Sequence, residues 1–299
     1  MRTVVVAGVP GAWSTSQLAV ALEMHGFAVD VVDLGECSVD AGSGEVHAGA
    51  TCLTSADAVV VKKLGTSEGV SVAARLAALE AVERKGVHIF SRPAAIARAV
   101  DRVRMTFELA AAGIPIPDTC VTESLDEAER AVERFRTCVV KPVFTSKGRG
   151  MILIRSSGAL RLKLRRFGEE NGGVYYIQRF VDSGGKDIAV AILGGRVVGA
   201  YARVAGKSWL TTTNAGGRYA RQPITWALAD LATRAARPFG LDFTVVDIAV
   251  AERGPVVYEL SAFGGFRGLL ETRGIDAASM YADHVAETLS REGSSARSA

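Results

Sequence analysis

An α/β half followed by an α+β half is the fold class that this 299-residue sequence predicts. Three observations lead to it. Short apolar runs rich in Val and Ile and bounded by Gly, Asp or Pro are typical of strands buried on both faces. Up to about residue 90 these runs alternate with helical patterns, which favours a parallel sheet. Beyond Ile188 the runs lengthen and follow one another through tight turns, which favours antiparallel pairing.

The first half reads as βαβ units with parallel strands, because each strand reaches the next through a helical crossover. The predicted order is strand Thr3–Ala7, helix Ser14–His25, strand Ala28–Asp33, strand Ala58–Val61, helix Val70–Arg84 and strand Val87–Phe90. Between the second and third strands the polar stretch 36–51 is predicted to be a hairpin or a loop.

The second half begins after Pro93 with two helical stretches up to Ala112. Ser124 and Glu127 form a capping box that predicts a helix ending at Phe135. The elements expected after it are strand, Gly-rich turn, strand, helix and strand over 138–178, a hairpin through 194–195, helix Pro223–Phe239, a hairpin turning at 253–255, two short helices and a disordered Ser-rich tail.

Composition excludes several classes of protein. The 35 basic and 32 acidic residues leave a net charge of +3, which argues against a nucleic-acid coat. Four scattered cysteines show neither a zinc spacing nor a disulfide framework, so a reducing cytosol is expected. The mean hydropathy is +0.21, yet no apolar run nears the roughly 18 residues of a bilayer crossing. A strand begins at Arg2 without the basic and cleavage regions of a signal peptide.

The common nucleotide and hydrolase motifs are absent. There is no P-loop and no Gly-x-Ser-x-Gly elbow, and the first βα turn, Gly8-Val-Pro-Gly11, lacks the dinucleotide fingerprint. A nicotinamide-dependent oxidoreductase using the first βαβ unit is therefore the weakest hypothesis, and failure to bind NAD(H) would dismiss it.

Lys141 closes a buried strand and a glycine-rich turn follows it, in the order Val-Val-Lys141-Pro-Val-Phe-Thr-Ser-Lys-Gly-Arg-Gly150. A buried lysine is costly unless an anion meets it, and glycines let backbone N–H groups approach a phosphate. A hairpin with exposed basic residues explains the same segment about equally well.

Asp247 and Glu259 lie in two apolar strands joined by a turn near Arg253, six residues from each. Residues equally distant from a hairpin turn face each other on one side of the sheet. Two carboxylates so placed repel unless a cation lies between them, and Mg²⁺ shared with phosphate oxygens is the usual case. Pairing of each carboxylate with a nearby arginine is the alternative. A third, weaker feature is the apolar strand ending at Gln178-Arg-Phe-Val181, followed by Asp187.

Together these three features, in this order and spacing, resemble the RimK-like branch of the ATP-grasp carboxylate–amine ligases. The resemblance covers roughly residues 93–287, and the α/β unit before it resembles the family's Rossmann-like pre-ATP-grasp domain. It implies an N-terminal domain over 1–92, an ATP-grasp N-terminal or lid subdomain over 93–181, a C-terminal subdomain over 182–291 and a disordered tail over 292–299.

The resemblance also implies a role for each matching residue. Lys141 would hold the α- and β-phosphates, and Arg203 would face the γ-phosphate or acyl phosphate, so these two are the catalytic candidates. Mg²⁺, or Mn²⁺ in its place, would be bound by Asp247, Glu259 and Ser261. The remaining ATP contacts implied are Arg102, the lid residues Thr145, Ser146, Lys147, Gly148 and Gly150, the adenine-binding segment of Gln178, Arg179, Phe180 and Val181, and the ribose-binding Asp187.

Several positions depart from the family pattern. Arg102 stands where a lysine is usual, Arg179 where a glutamate is usual, and Ser261 where an asparagine is usual. Thr212 lies in a segment that normally carries Arg and Asn. These departures resemble a distinct subgroup such as the ATP-grasp member of the GAK gene system. They also motivate the alternative of an ATP-binding protein that has lost ligation and acts as a binding module.

The partners implied are a small-molecule carboxylate and an amine, either an amino acid or a peptide, with no nucleic acid and no membrane. A cytoplasmic ligase is expected, and a homo-oligomer is compatible with the resemblance. Three basic side chains near the expected cleft, Arg218, Arg221 and Arg267, are either receivers of an acidic substrate or parts of a solvated face, the latter being favoured for any one of them.

Overall fold

The computed structural model describes residues 1–65, 70–145 and 148–295, which form four β-sheets and the helices that cover them. The strands are β1 (Thr3–Ala7), β2 (Ala28–Val32), β3 (Cys37–Val39), β4 (Val46–Ala48), β5 (Thr51–Cys52), β6 (Ala58–Val61), β7 (His88–Phe90), β8 (Thr119–Thr122), β9 (Thr137–Lys141), β10 (Ile152–Arg155), β11 (Tyr175–Arg179), β12 (Lys186–Leu193), β13 (Arg196–Val204), β14 (Arg218–Arg221), β15 (Phe243–Ala251) and β16 (Gly254–Ser261). The helices are α1 (Trp13–Met24), α2 (Val70–Arg84), α3 (Pro93–Val100), α4 (Arg102–Ala111), α5 (Leu125–Phe135), α6 (Leu160–Glu170), α7 (Trp226–Ala236), α8 (Arg267–Arg273) and α9 (Ala277–Ser295).

The N-terminal sheet has the order β2-β1-β6-β7 with every pair parallel, which confirms the predicted βαβ units. Val4, Val5 and Val6 of β1 are fully buried, as expected for a strand covered on both faces. The polar stretch after β2 forms the small antiparallel sheet β3-β4-β5, so the hairpin alternative was the right one. Because β1 and β6 are parallel, the residues that follow them reach the same edge of the sheet.

The second sheet is antiparallel, in the order β10-β9-β11-β8, with α5 and α6 packed over it. The capping box is confirmed, since the Ser124 hydroxyl accepts a hydrogen bond from the Glu127 amide at 3.4 Å. Lys141 is the last residue of β9 and pairs with Tyr176 of β11. This pairing places the lysine next to Gln178 at the end of the sheet that faces the third sheet.

The third sheet is a five-stranded antiparallel sheet of order β14-β13-β12-β15-β16. Asp247 of β15 pairs with Glu259 of β16, as the hairpin arithmetic predicts. The turn, however, lies between Ala251 and Gly254, so near the turn the register differs by one residue from the predicted one. A register shift beside Asp247 restores the predicted pairing. Ile248 pairs with Val257, so Tyr258 is the extra residue of a β-bulge. The bulge therefore brings the two carboxylates opposite each other.

The C-terminal end differs from the expectation. The last helix, α9, has 19 residues and packs against α1, so it is not short. Its inner face buries Tyr281, Val285 and Leu289, and this packing carries the helix to Ser295, into the segment expected to be a tail. Residues 296–299 of that segment lie outside the described residues. Within the described part, none of the helices has both the length and the apolar character that a bilayer crossing needs.

Candidate functional site

A cavity of about 700 Å³ lies where the three larger sheets meet. The N-terminal sheet lines it with residues after β1 and β6, the second sheet with the ends of β9 and β11, and the third sheet with β13, β15 and β16. The charged groups at its wall include Lys62, Lys141, Asp187, Arg203, Asp247 and Glu259. Most of the side chains that the sequence singles out therefore border a single space.

Lys141 lies at the wall of this cavity and is only 7% exposed. Its Nζ donates to Gln178 Oε1 at 2.6 Å and lies 5.8 Å and 5.7 Å from the ring centroids of Tyr176 and Tyr258. Burial, assisted by the neighbouring Arg102, lowers the pKa of Lys141 to about 8. The lysine thus has a neutral acceptor and two aromatic faces as its closest partners, and it still has the capacity to meet an anion.

Arg102 is buried at the start of α4, with Asp101 capping the helix. Its guanidinium donates to the carbonyl oxygens of Pro142 and Thr145 and to Glu259 Oε2, the last at 3.2 Å. It therefore ties the segment after β9 to the carboxylate of β16. Burial acts to raise the pKa of Glu259, but Arg102, Lys141 and Arg203 outweigh it and hold that pKa below its ordinary value.

Arg203 joins two carboxylates of the third sheet. Its Nε and one terminal nitrogen donate to the two oxygens of Asp187 at 2.9 Å and 2.8 Å, and the same terminal nitrogen lies 2.6 Å from Asp247 Oδ2. Thr211 adds a third donor to Asp187 at 3.0 Å. In the structure Asp187 thus orients Arg203, and a ribose hydroxyl would have to share oxygens that already accept hydrogen bonds. Burial acts to lower the pKa of Arg203, but Asp247 and Asp187 raise it well above its ordinary value.

Asp247 is the most unusual acid of the site. Burial raises its pKa to about 7, with Asp187 and Glu259 acting in the same direction and Arg203 opposing. Its Oδ1 is buried and, among the described residues, has no hydrogen-bond partner. The pKa values of the facing carboxylates are thus shifted in opposite directions, which is typical of groups kept for a function.

The alternative in which each carboxylate pairs with an arginine is also present: Arg203 forms an ion pair with Asp247 Oδ2, and Arg102 forms one with Glu259 Oε2. The buried Oδ1 of Asp247 nevertheless remains open and needs a partner. Within the described ranges, no cluster of three or more His, Cys, Asp or Glu side chains could hold a metal. A site here would consist of two carboxylates plus ligand oxygens and water, and that set fits Mg²⁺.

Ser261, the third expected metal ligand, lines the cavity two residues after Glu259 on the same strand. Its hydroxyl accepts a hydrogen bond from the Phe263 amide at 3.4 Å, and its carbonyl accepts one from Thr244 at 2.8 Å. The hydroxyl is therefore engaged in the loop that follows β16. The structure brings Ser261 to the cavity without directing its oxygen to Asp247.

The glycine-rich segment after Lys141 lies partly outside the described residues, because Ser146 and Lys147 are among those not described. Thr145 donates its hydroxyl to the Arg149 carbonyl at 3.0 Å. Gly148 lines the cavity, close to Leu210 and Thr212 of the segment after β13. At Gly150, φ is +68°, and a Cβ would lie 2.9 Å from the Pro142 ring. The turn thus lies beside the Leu210–Thr212 segment at the wall of the cavity.

The segment expected to bind adenine leaves β11 and lines the same cavity. Gln178 is held by Lys141 and by Thr119, to which its Nε2 donates at 3.1 Å. The Arg179 side chain turns outward to Asp118 at 2.8 Å, and the Phe180 amide donates to the Thr137 carbonyl at 2.9 Å. The Val181 carbonyl accepts a hydrogen bond from Tyr258 at 3.3 Å. The bulge residue Tyr258 therefore connects this segment to the carboxylate hairpin.

The sequence reasoning missed three residues that the structure places in or beside the site. Tyr176 is fully buried beneath Lys141 and shares a 2.7 Å hydrogen bond with Thr106 of α4. Tyr258 contacts both Lys141 and Val181. Lys62, directly after β6, reaches the loop that follows β16. Tyr176 and Tyr258 stand beside residues that the sequence did single out, and Lys62 closes a buried strand as Lys141 does.

Gly264 and Gly265, in that loop, should respond differently to alanine. At Gly264, φ is +30° and a Cβ would lie 2.4 Å from Phe243 Cε1, whereas at Gly265 a Cβ would meet no described heavy atom within 4 Å. We expect Gly264→Ala to lower the free energy of unfolding by about 1–3 kcal/mol. Gly265→Ala should change the same free energy by less than about 0.5 kcal/mol. Urea unfolding followed by circular dichroism measures both variants, and equal losses would show that the loop is not packed as described.

Comparison with known proteins identifies the family. Residues 99–285 match the RimK-like ATP-grasp domain, and residues 1–96 match the RimK pre-ATP-grasp domain. The tetrahydromethanopterin:α-L-glutamate ligase of Methanosarcina acetivorans is 30% identical over 257 residues, covering 80% of this chain and 79% of that protein. The ribosomal protein bS6–L-glutamate ligase of Escherichia fergusonii is 30% identical over 271 residues and 89% of each chain.

A solved structure supports the same fold. The ATP-grasp ligase PsnB in complex with a minimal precursor, Mg and ADP superimposes with a TM-score of 0.69 at 19% identity, covering 96% of this chain and 98% of that one. ATP-grasp ligases use ATP, and both curated relatives are ligases by name. Two family matches that together span nearly the whole sequence leave no other assignment: the chain belongs to the RimK-like ATP-grasp ligases.

Proposed function

We propose that this protein uses ATP to activate a carboxylate as an acyl phosphate, which an amine then attacks to form an amide or peptide-like bond. The observation that carries the proposal is the charge set of one cavity. Lys141, Arg102 and Arg203 stand around the facing carboxylates Asp247 and Glu259. Cations and a metal held in place around a transferring phosphoryl group are the usual means of catalysing this chemistry.

The two steps balance as follows. A carboxylate oxygen bonds to the γ-phosphorus while the bond to the β–γ bridging oxygen breaks, and ADP leaves. The amine nitrogen then bonds to the acyl carbon, phosphate leaves with the electron pair of the carbon–oxygen bond, and the nitrogen gives up a proton. In this proposal Lys141, at the end of β9, would meet the α- and β-phosphates, and Arg203, which Asp187 orients, would meet the γ-phosphate.

We assign the metal position to Asp247 and Glu259. The open Oδ1 of Asp247 supports this assignment, as does the all-oxygen character of the pair. Mg²⁺, or Mn²⁺ in its place, would supply positive charge to the phosphate oxygens when bound. Ser261 is the weakest of the three proposed metal ligands, because its hydroxyl already accepts a hydrogen bond from the Phe263 amide. It would contact the metal only through a water molecule.

The remaining nucleotide contacts are proposed for the walls already described. The segment 178–181 would face adenine through its backbone, and the turn 145–150, with Thr145, Gly148 and Gly150, would close over the phosphates. Arg102 would contribute charge from behind Glu259. The domain division at 92 and 181 belongs to the same proposal: the nucleotide would lie between the second and third sheets, and the N-terminal sheet would border the acceptor end of the cavity.

The substrate class we favour is an amino acid or a peptide. The two curated relatives are, by name, L-glutamate ligases for a pterin cofactor and for a ribosomal protein. Arg267 lies at the cavity wall, where it would favour an acidic group. A homo-oligomer and a cytoplasmic location are part of the same expectation.

A phosphate-release screen tests the proposal. Wild-type protein with ATP and Mg²⁺ is given amino acids, short peptides and small carboxylates, and we expect ADP and phosphate release that depends on one acceptor and on the metal. Glu259→Ala should lose that release, because it removes one of two metal ligands and leaves the buried Arg102 without its carboxylate. Release that persists unchanged in Glu259→Ala would contradict the assignment of the site.

The second candidate is an ATP-binding module without ligation. It is favoured by the present pairing of both carboxylates with arginines, which compensates their charge without a metal. The same screen separates the two candidates. ATP that raises the melting temperature without turnover for any acceptor supports the binding module, whereas acceptor-dependent turnover excludes it.

A further inference from the structure

Lys62 is a buried cation that the proposed chemistry does not use. It follows β6 of the N-terminal sheet directly, lines the cavity and is 6% exposed. Its Nζ donates to the carbonyl oxygens of Phe263 and Gly264 and lies 3.9 Å from the centroid of the Phe266 ring. It makes no salt bridge with any carboxylate in the described part of the chain. Burial lowers the pKa of Lys62 to about 7, and a buried amine held by carbonyls alone is costly and calls for an explanation.

The two carbonyls belong to consecutive peptide groups in the loop after β16, the strand that carries Glu259 and Ser261. In a trans peptide, the N–H of the next residue points opposite to the carbonyl. With both carbonyls turned to Lys62, the amides of Gly264 and Gly265 both point away from it. Neither amide donates to another described backbone carbonyl or side chain, and both glycines line the cavity.

Two neighbouring N–H groups that point the same way form a small concave site for an oxyanion. The left-handed conformation of Gly264, with φ of +30°, is typical of such a pair, and Gly265 lines the cavity with open space where a Cβ would lie. The loop begins directly after Ser261, so the amide pair follows the strand of Glu259 and borders the same cavity. Without Lys62, each peptide group would be free to turn its carbonyl toward the cavity instead.

We propose that Lys62 is a positioning residue of the ligase site: it holds the carbonyls of Phe263 and Gly264 so that the Gly264 and Gly265 amides form an oxyanion-binding pair for the bound substrate. The inference rests on the proposed function for the identity of the oxyanion, which is either the substrate's carboxylate or the transferred phosphoryl group. Lys62 acts through the loop and does not contact the reacting atoms. It also makes the N-terminal domain part of the site, because its strand β6 fixes a loop of the third sheet.

Calorimetric titration of three variants tests the proposal. Lys62→Met keeps the length of the side chain but removes its donors, and Lys62→Arg keeps the charge. Lys85→Met is the matched control, because Lys85 donates to the Ser43 carbonyl at 2.8 Å on the exposed surface. Each protein is titrated with Mg·ADP, then with inorganic phosphate and with L-glutamate, in the presence and absence of Mg·ADP. The two oxyanion probes separate a phosphoryl site from a carboxylate site.

We expect Lys62→Met to bind Mg·ADP like the wild type and to bind phosphate or L-glutamate at least about tenfold more weakly. A loss of about tenfold is what removal of one oriented amide donor from a charged ligand would cause. Lys62→Arg should recover most of that affinity, and Lys85→Met should match the wild type. Equal affinities for both probes in Lys62→Met and wild type would overturn the proposal, as would parallel loss of Mg·ADP binding and melting temperature, which would make Lys62 a folding residue.

The outcomes also separate this inference from the proposed function. A wild-type protein that binds the oxyanion probes but not Mg·ADP would refute the nucleotide site, and the titrations without nucleotide would still decide the role of Lys62. A wild-type protein that binds Mg·ADP but neither probe would refute the amide pair and leave the ligase proposal standing.

Discussion

Replacing Lys141 with methionine should lower ATP turnover about a hundredfold or more and leave the protein folded. The lysine is buried, and burial lowers its pKa to about 8, so its charge is held at a cost in stability. Methionine has a similar length, would contact the rings of Tyr176 and Tyr258, and needs no desolvation. We therefore expect a melting temperature equal to or above that of the wild type.

The loss of activity follows from the position of the amine. With Nζ gone, no ammonium remains at the end of β9 to meet the α- and β-phosphates, and the amide nitrogen of Gln178 keeps its hydrogen bonds to Thr119 and Tyr176. Loss of one oriented charge at a transferring group costs about a hundredfold to a thousandfold in turnover. Coupled ADP release measures it, with Lys163→Met on the exposed face of α6 as the matched control. Turnover within about twofold of the wild type would show that Lys141 does not contact the nucleotide.

The parts of the site that the sequence predicted are those defined by local pattern. The predicted strand that ends in lysine before a glycine-rich turn is present, with Lys141 buried at the cavity wall, and a hairpin with equal arms placed Asp247 opposite Glu259. The second success depends on a bulge at Tyr258 that the pattern did not indicate. Without that extra residue, Asp247 would face Tyr258, because a shift of one residue turns a side chain to the other face of the sheet.

The parts that escaped prediction depend on contacts between distant segments. The role expected for Asp187 came from the family resemblance, but its partners, Arg203 and Thr211, come from the next strand and the loop beyond it. Lys62 is a different case, because the signal was present in the sequence. It follows the buried run Ala58–Val61 in the same way that Lys141 closes its own strand. The rule that a lysine closing a buried strand needs an acceptor applies to both.

Asp247→Asn should make the metal-free protein more stable at about pH 8 while removing its activity. Burial raises the pKa of Asp247 to about 7, far above the ordinary value of 3.8. The folded state therefore binds a proton that the unfolded state releases between about pH 4 and pH 7. As the pH rises through this range the wild type loses stability, because the buried carboxyl must ionise. Asparagine does not ionise, so the advantage of the variant grows across the same range and is constant above it.

The size of the effect is set by two opposing contributions. Burial raises the pKa of Asp247 and the attraction to Arg203 lowers it, and the net shift of about three pKa units corresponds to roughly 4 kcal/mol. Arg203 keeps its two hydrogen bonds to Asp187 and is not left unpaired, so a gain of roughly 2–4 kcal/mol is expected, the lower figure applying if the amide fits the site less well than the protonated carboxyl. Urea unfolding in EDTA at about pH 5 and pH 8 measures the gain.

The same variant should lose the metal response. In the wild type with ADP, added Mg²⁺ should raise the melting temperature through Asp247 and Glu259, and in Asp247→Asn this increase should be small, together with loss of turnover. An acid that destabilises the fold and is needed for the metal is retained for function, since a purely structural residue would do the opposite on both counts. A variant that is less stable at pH 8 and still responds to Mg²⁺ would show that Asp247 serves mainly to hold Arg203.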